Sequence, residues 1–463
     1  MTATLTETFN TGFHGTVVTP ADDAYATARE VWNGMISTRP ALIAKCHTVD
    51  EIVEAVRLAR DSGRQVAVRG GGHSVAGLSS CDAGVVIDLG EMRSVTVDPE
   101  RRVAFVEPGT TWGEYDRATA AHGLASTGGL ISTTGIAGLT LGGGLGWLQR
   151  KYGLACDNLI EADVVTADGR IVHTSESERP ELLAGLRGGG GNFGVVTNFT
   201  FALHPVSTIL GGLMAFPLAR GREVLRTFRD WAPDLPEDGS MLAAMLFAPP
   251  EPFVPDDLVG QPIVAILGCW CGDLEEGAAA LAPLKDLSPT IDMFGPMPYP
   301  ALNSMLDNGA PAGQRNYMRG GFVADLSDEV IDVAITHAVR MRSPQSQIHF
   351  HQMGGAVTRV PAGGSTFSGR DAGYTYNLLS IWTDEAEDGM HINANRAAAT
   401  ALAPYAMGGA YVNFQADHAD GGSNDDRVRF MYGTDLYDRL ARLKREYDPT
   451  NLFRINQNIQ PAR

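Results

Sequence analysis

One histidine directly follows three glycines, in Val66-Ala-Val-Arg69-Gly70-Gly71-Gly72-His73-Ser74. The residues ahead of the glycines have the make-up of a buried strand. Consecutive glycine N–H groups at a strand end can converge as an anion nest, a way for backbone alone to hold a pyrophosphate. His73 then lies within reach of the same ligand. Gly128-Gly129, Gly142-Gly143-Gly144 and Gly188-Gly189-Gly190-Gly191 follow, so all four clusters fall between residues 70 and 191. Glycine is costly in entropy and is kept where backbone turns with positive φ or approaches a ligand closely. Four such places in one stretch point to a large cofactor held mainly by backbone amides. A second constellation lies in Ile348-His349-Phe350-His351-Gln352-Met353-Gly354-Gly355, where a period of two puts His349, His351 and Met353 on one strand face. Histidine titrates near neutrality and can serve as a base, so an ionisation between about 5.5 and 8 is expected of His351. Tyr374 and Tyr376 are further pocket candidates. Tyr411 and Asn413 occupy alternate positions of Tyr411-Val-Asn-Phe414 and share a face.

The elements that must position these residues are readable in part. Thr48-Val-Asp-Glu51 is a capping-box pattern opening a helix with Ile52, Val53, Val56 and Ala59 on one face, stopped by Gly63. Residues 65–69, 85–89 and 102–106 read as strands. Thr111-Trp-Gly-Glu114 opens another helix. Leu159 to Thr166 and Arg170 to Thr174 read as a hairpin about Ala167-Asp168-Gly169. A helix over Pro180–Leu186 and a strand over Val195–Leu203 flank Gly189-Gly-Gly191-Asn-Phe-Gly194. That order is the reverse of a Rossmann strand–glycine–helix unit, and no acidic residue stands about 20 residues on, which argues against a nicotinamide-dinucleotide site. No P-loop sequence is present. After His204-Pro205 glycine clusters thin out. Strand-like runs such as 260–270 and 374–382 alternate with helical ones such as 328–341, which predicts a second α+β domain.

Composition narrows the function classes. The net charge of −18 and pI of about 5.0 give no basic footprint for nucleic acid. No apolar run nears the roughly 18–20 residues of a membrane span. The first ten residues lack a basic start and an apolar core, so no secretory leader is expected. Five cysteines, an odd number at irregular spacing, suggest a reducing, cytoplasmic setting. Cys269-Trp-Cys271 reads as two cysteines on one strand face; it lacks a second ligand pair for zinc, and no metal is expected.

Taken in series, the motifs carry a family resemblance. Arg69-Gly-Gly-Gly-His73-Ser74, Val106-Glu-Pro-Gly109-Thr, Thr134-Gly-Ile-Ala-Gly138-Leu-Thr-Leu-Gly-Gly-Gly144-Leu-Gly146, Arg150-Lys-Tyr-Gly-Leu-Ala-Cys-Asp157-Asn158 and Arg187-Gly-Gly-Gly-Gly-Asn-Phe-Gly194-Val-Val196 occur in that order. Tyr411-Val-Asn-Phe414 and Tyr447-Asp-Pro-Thr-Asn-Leu-Phe-Arg454-Ile-Asn-Gln457 close the chain. The sequence resembles the covalent-flavin oxidoreductases of the vanillyl-alcohol oxidase superfamily, specifically the berberine-bridge-enzyme-like group with its PCMH-type FAD-binding domain.

The resemblance implies an α+β protein. A two-part FAD domain would be made of residues 1–206 (the PCMH-type unit from about 36) and 420–463. A substrate domain over 207–419 would roof the flavin with an antiparallel sheet flanked by helices. It further implies cofactor contacts from Arg69, Gly70, Gly71, Gly72, His73, Ser74, Thr134, Gly135, Gly138, Gly142, Gly143, Gly144, Asn158, Gly194, Val196, Tyr411 and Asn413. His73 would carry an 8α-histidyl bond. Many members have a second tether at a cysteine, but that position here is Ile131, and Cys156 reads as a buried packing residue, so one bond is expected. Catalysis would fall to His351, with Tyr376 and Tyr411. Many relatives place a basic tyrosine where this chain has Phe414, which raises His351. The implied reaction takes a hydride from a C–OH or C–N group to the flavin, with dioxygen as electron acceptor. The alternatives are a dehydrogenase of the same fold, since Thr134 replaces the Val or Leu that gates oxygen in relatives, and a carbohydrate oxidase. Met241, Met245 and Phe247 suggest an apolar or aromatic small-molecule substrate of secondary metabolism, shaped by 212–248 and the loops of 294–313.

Overall fold

The computed structural model describes residues 6–9, 12–416 and 424–463. The boundary expected at 419/420, and part of the segment read for a leader, lie outside the described residues.

Chain order builds two small sheets first. β1 (Thr16–Val18), β2 (Leu42–Lys45), β3 (Val66–Arg69) and β4 (Val85–Asp88) form a sheet in the order β1-β2-β4-β3, parallel except at β1. α1 (Val49–Asp61) covers it. Thr48 Oγ1 accepts from Glu51 N at 3.2 Å while His47 N donates to Glu51, and Ile52, Val53, Ala55, Val56 and Ala59 are buried. β5 (Val95–Asp98), β6 (Val103–Val106), β7 (Leu159–Val165), β8 (Ile171–Ser175) and β9 (Val195–Ala202) form an antiparallel sheet in the order β5-β6-β9-β7-β8. Between β6 and β7 run α2 (Trp112–Ala120), capped by Thr111 and Glu114, and the short α3 (Ile136–Leu141). α4 (Pro180–Leu186) precedes β9.

The second half is one antiparallel sheet. β10 (Thr208–Pro217), β11 (Gly239–Phe247), β12 (Pro262–Trp270), β13 (Ile291–Asp292), β14 (Gly295–Pro298), β15 (Arg315–Val323), β16 (Gln347–Gln352) and β17 (Tyr374–Trp382) order as β13-β10-β12-β11-β16-β17-β15, with β14 also on β10. α5 (Gly221–Trp231), α6 (Tyr299–Ser304), α7 (Asp328–Ala338) and α8 (Asp388–Leu402) are interspersed. One face of the sheet, with Met241, Ala243, Met245, Phe350, Tyr374 and Tyr376, packs on α5, α7 and α8. The opposite face, with Leu242, Ala244, Ala265 and Leu267, turns toward the glycine-rich half.

α9 (Asn424–Tyr432) and α10 (Thr434–Tyr447) return to the first half, burying Val428, Tyr437 and Leu440 with Phe199 and Phe201. The last segment is stitched there by charge. Lys444 is fully buried, pairs with Asp448 at 2.8 Å, and donates to Asn192 O and Phe453 O at 2.8 Å each. Burial lowers its ammonium pKa, opposed by Asp448. Breaking such a pair costs more than the pair contributes, because a buried charge is left alone.

Candidate active site

The glycine loops meet backbone to backbone. A Cβ at Gly71 would stand 2.6 Å from Gly135 Cα, and one at Gly70 would stand 2.8 Å from Pro108 O. Side chains are excluded there, and the loop after β3 closes on the turn before α3. A cavity of about 1310 Å³ runs from these loops to the inner face of the second-half sheet. Gly70, Gly71, Gly72, His73, Ser74, Thr134, Gly135, Gly138, Gly142, Gly194, Val196, Tyr411 and Asn413 line it, so thirteen of the expected cofactor contacts share one wall. No Lys or Arg is among the lining residues, which leaves backbone amides and uncharged side chains such as Ser74, Asn456 and Gln457 as the anion donors.

The remaining four expected contacts, Arg69, Gly143, Gly144 and Asn158, do not line the cavity, with a structural reason in each case. Arg69 turns away: its Nη1 donates to Ala28 O at 2.6 Å and lies 3.6 Å from Asp88. Asn158 donates to Tyr152 O and Leu154 O and meets His204 Nε2 at 2.7 Å. Gly143 (φ 128°) admits Phe367, whose ring would be 2.5 Å from a Cβ, and Gly144 (φ 87°) likewise admits Ala155. These are glycines of packing.

His73 stacks on Trp32, centroids 4.0 Å apart and planes 17° apart. Its Nε2 is buried without a hydrogen-bond partner, and burial lowers its pKa to about 4. Ile131 lines the cavity, whereas Cys156 is fully buried among Leu145, Leu154 and Tyr411, its thiol pushed up by burial.

The sheet supplies the opposite wall. Gln347, His349 and His351 alternate along β16, and Asn377, Leu379 and Ile381 continue it on β17. His349 Nε2 meets Gln347 Oε1 at 2.6 Å. His351 Nε2 is buried and unpartnered. Burial, reinforced by His349, holds the His351 pKa well below 6.5, and burial lowers that of His349 to about 4. With no carboxylate paired to either ring among the described residues, burial favours the neutral form of both and opposes the expected ionisation near neutrality. Tyr411 Oη accepts from Gly144 N at 3.1 Å and Asn413 Nδ2 at 2.9 Å, and burial pushes its pKa up to about 12. It therefore keeps its proton, and its oxygen ties the Gly144 turn to Asn413. Phe414 lies 5.7 Å from His351.

Tyr376 is placed on the wrong face for catalysis. It packs in the helix-side core, where a Cβ at Gly321 would stand 2.6 Å from its Oη, and it does not line the cavity. Tyr374, Met241 and Met245 share that core, leaving Phe247 at the cavity. Gly190 and Gly191 of the last glycine cluster also line it, as do Trp32, Asn377, Tyr432, Asn456 and Gln457, which sequence reasoning did not single out. For the last two the closing motif was a signal, since Asn456 Nδ2 donates to Gly191 O and Asn192 Nδ2 to Gln457 O at 3.2 Å each.

A family profile described as FAD binding domain matches residues 40–175, and one described as berberine and berberine like matches residues 410–460. An FAD-linked oxidoreductase of Bacillus subtilis strain 168 is 32% identical over 457 residues, covering 97% of each chain. The (R)-6-hydroxynicotine oxidase of Paenarthrobacter nicotinovorans is 30% identical over 469 residues, covering 96% of this chain and 97% of its own. The crystal structure of 6-hydroxy-D-nicotine oxidase from Arthrobacter nicotinovorans superposes with a TM-score of 0.86 at 27% identity, covering 97% of this chain and 98% of that one. The protein belongs to the berberine-bridge-enzyme-like FAD-linked oxidoreductases, with their PCMH-type α+β fold. The glycine cradle and the unpartnered His73 nitrogen fit FAD as the cofactor.

Proposed function

We propose that this enzyme is an oxidase for a neutral, apolar or aromatic substrate of secondary metabolism, with FAD held covalently through His73 alone. FAD, when bound, supplies the two-electron acceptor and hands electrons on to dioxygen. The chain's own residues handle the proton. His351 Nε2 accepts it from the substrate's O–H or N–H, while Tyr411 braces the glycine turn beside it. The observation that carries this reading is the buried, unpartnered, neutral imidazole of His351, set on a sheet wall between the uncharged polar groups of Gln347, His349 and Asn377 and the aliphatic Leu242, Ala244, Leu379 and Ile381. The two carboxylates that line the cavity are Glu251 and Asp307, and Asp307 is occupied by Ser132 N and Oγ. A cationic amine finds little counter-charge there. Five free cysteines accord with a reducing, cytoplasmic compartment.

The test is a screen of hydroxylated aromatics, amines and oligosaccharides for anaerobic bleaching of the flavin. Neutral hydroxylated aromatics should bleach it fastest, and admitted air should restore the colour with release of hydrogen peroxide. Preferential bleaching by oligosaccharides would replace this reading with a carbohydrate oxidase. Recolouring by an artificial acceptor but not by air would make the enzyme a dehydrogenase.

A further inference from the structure

We propose that Trp32 is the positioning residue for His73, fixing the plane in which an imidazole nitrogen meets the flavin during attachment. The proposal rests on the reading of His73 as the tether. The stack between the two rings is close and nearly parallel, 4.0 Å and 17°. The imidazole needs such a constraint. Its Nε2 has no hydrogen-bond partner, and the second side-chain torsion of a histidine is intrinsically broad. A flat neighbour restricts that torsion without consuming a ring nitrogen.

Trp32 is itself fixed from both halves of the molecule. Its backbone N donates to Gly72 O at 3.1 Å, inside the glycine loop that carries His73. Its indole Nε1 donates to Ala310 O at 3.0 Å, and its carbonyl accepts from Gly313 N at 2.9 Å. Ala310 and Gly313 lie in the segment leading into β15. The clasp continues with Gly34 N to Gln314 O at 2.8 Å and Asn33 Nδ2 to Asn316 O at 2.8 Å. A Cβ at Gly34 would stand 2.2 Å from Gly313 O, so the two segments meet backbone to backbone. The second half of the chain thus reaches round the glycine loop to hold the ring that faces His73.

Attachment joins an imidazole nitrogen to the carbon of a ring methyl of the flavin. One N–H and one C–H bond break and one N–C bond forms. The two electrons and two protons released pass to the flavin ring and on to dioxygen, leaving hydrogen peroxide. Trp32 contributes orientation alone, and orientation governs how often the nitrogen is aligned with the reacting carbon.

Full-length protein made in a riboflavin-starved host is given FAD in air and acid-precipitated at intervals. Wild-type protein should gain acid-stable flavin. Trp32→Leu should bind FAD and keep its melting temperature within a few degrees, yet attach flavin about tenfold more slowly. Trp32→Phe, which keeps a ring, should recover most of the rate. Equal rates for Leu and wild type overturn the proposal. If Trp32→Leu does not fold, Trp32→Phe and Trp32→Met decide it, and equal rates for those two overturn it. Failure of the tether reading is separate: His73→Ala that still gains acid-stable flavin refutes it whatever Trp32 does.

Discussion

The imidazole of His351 meets that of His349 edge to face, with centroids 5.6 Å apart and planes 67° apart. Both rings are buried, and among the described residues no carboxylate pairs with either. Two imidazolium ions at this separation would repel in a poorly solvated wall, so protonation of one opposes protonation of the other. His349 is further committed to Gln347 Oε1. His351 is left as the ring with a free nitrogen.

His351→Ala should therefore slow flavin reduction by at least about tenfold, general bases contributing typically about 10²–10⁴-fold, with cofactor content and spectrum unchanged. The active form is the neutral ring, and its pKa lies well below 6.5. The reduction rate should be flat through neutrality and fall only in acid. His349→Leu removes the repulsion and should move that acid limb upward in pH. Stopped-flow reduction across pH decides it. A limb centred near 6.5 that His349→Leu leaves in place would make the pair unimportant.

Gly138 and Gly71 both line the cavity but should fail differently. A Cβ at Gly138 meets no atom within 4 Å, whereas one at Gly71 meets the Gly135 backbone at 2.6 Å. Gly138→Ala should leave the melting temperature of the flavin-free protein unchanged and weaken its uptake of FAD. Gly71→Ala should lower both. Differential scanning fluorimetry of the flavin-free protein with and without added FAD separates the two, and normal FAD uptake by Gly138→Ala would place the flavin elsewhere.

The second tether position offers a gain-of-function test. Ile131 lines the cavity, and Cys156 is sealed in a core with its thiol held neutral. Ile131→Cys should create a second flavin link on aerobic expression, detected by peptide mass mapping. A flavin-bearing Cys156 peptide from wild-type protein would contradict the single-link reading.

Local chemistry explains what was legible. Thr48 and Glu51 cap α1 as their spacing predicts, and the glycine clusters converge because backbone contact forbids any side chain there. The bounds of β17 were legible from its β-rich run, but its facing was not. Tyr374-Thr-Tyr-Asn-Leu-Leu-Ser-Ile-Trp382 is buried almost throughout, so a period of two cannot say which side meets the cavity. Tyr376 was misplaced for that reason, and Met241 and Met245 on β11 likewise. Cys271 lies just past the end of β12, with its Sγ at 3.4 Å from Asp238 O, beyond the strand face it was expected to share with Cys269. Trp32 carries no motif at all. Its role arises from a long-range clasp to residues 310–316, which no local pattern encodes.

His204 makes the pH dependence of stability testable without the cofactor's influence, because it does not line the cavity. Its ring stacks on Tyr152 at 3.9 Å and meets Asn158 Oδ1 at 2.7 Å. Burial first, then Arg102 and Lys151, lowers its pKa to about 4. As the pH falls through about 6.5 the unfolded chain takes up a proton that the folded ring refuses. The stabilisation present above 6.5 is thus lost progressively down to about 4, on the order of 1–2 kcal/mol once partial solvation of the ring is allowed for. His204→Gln removes that titration. Its melting temperature should be lower than wild type at pH 7.5, and the gap should narrow toward pH 4.5. A gap that stays constant across the range would mean that His204 titrates alike in the folded and unfolded chains.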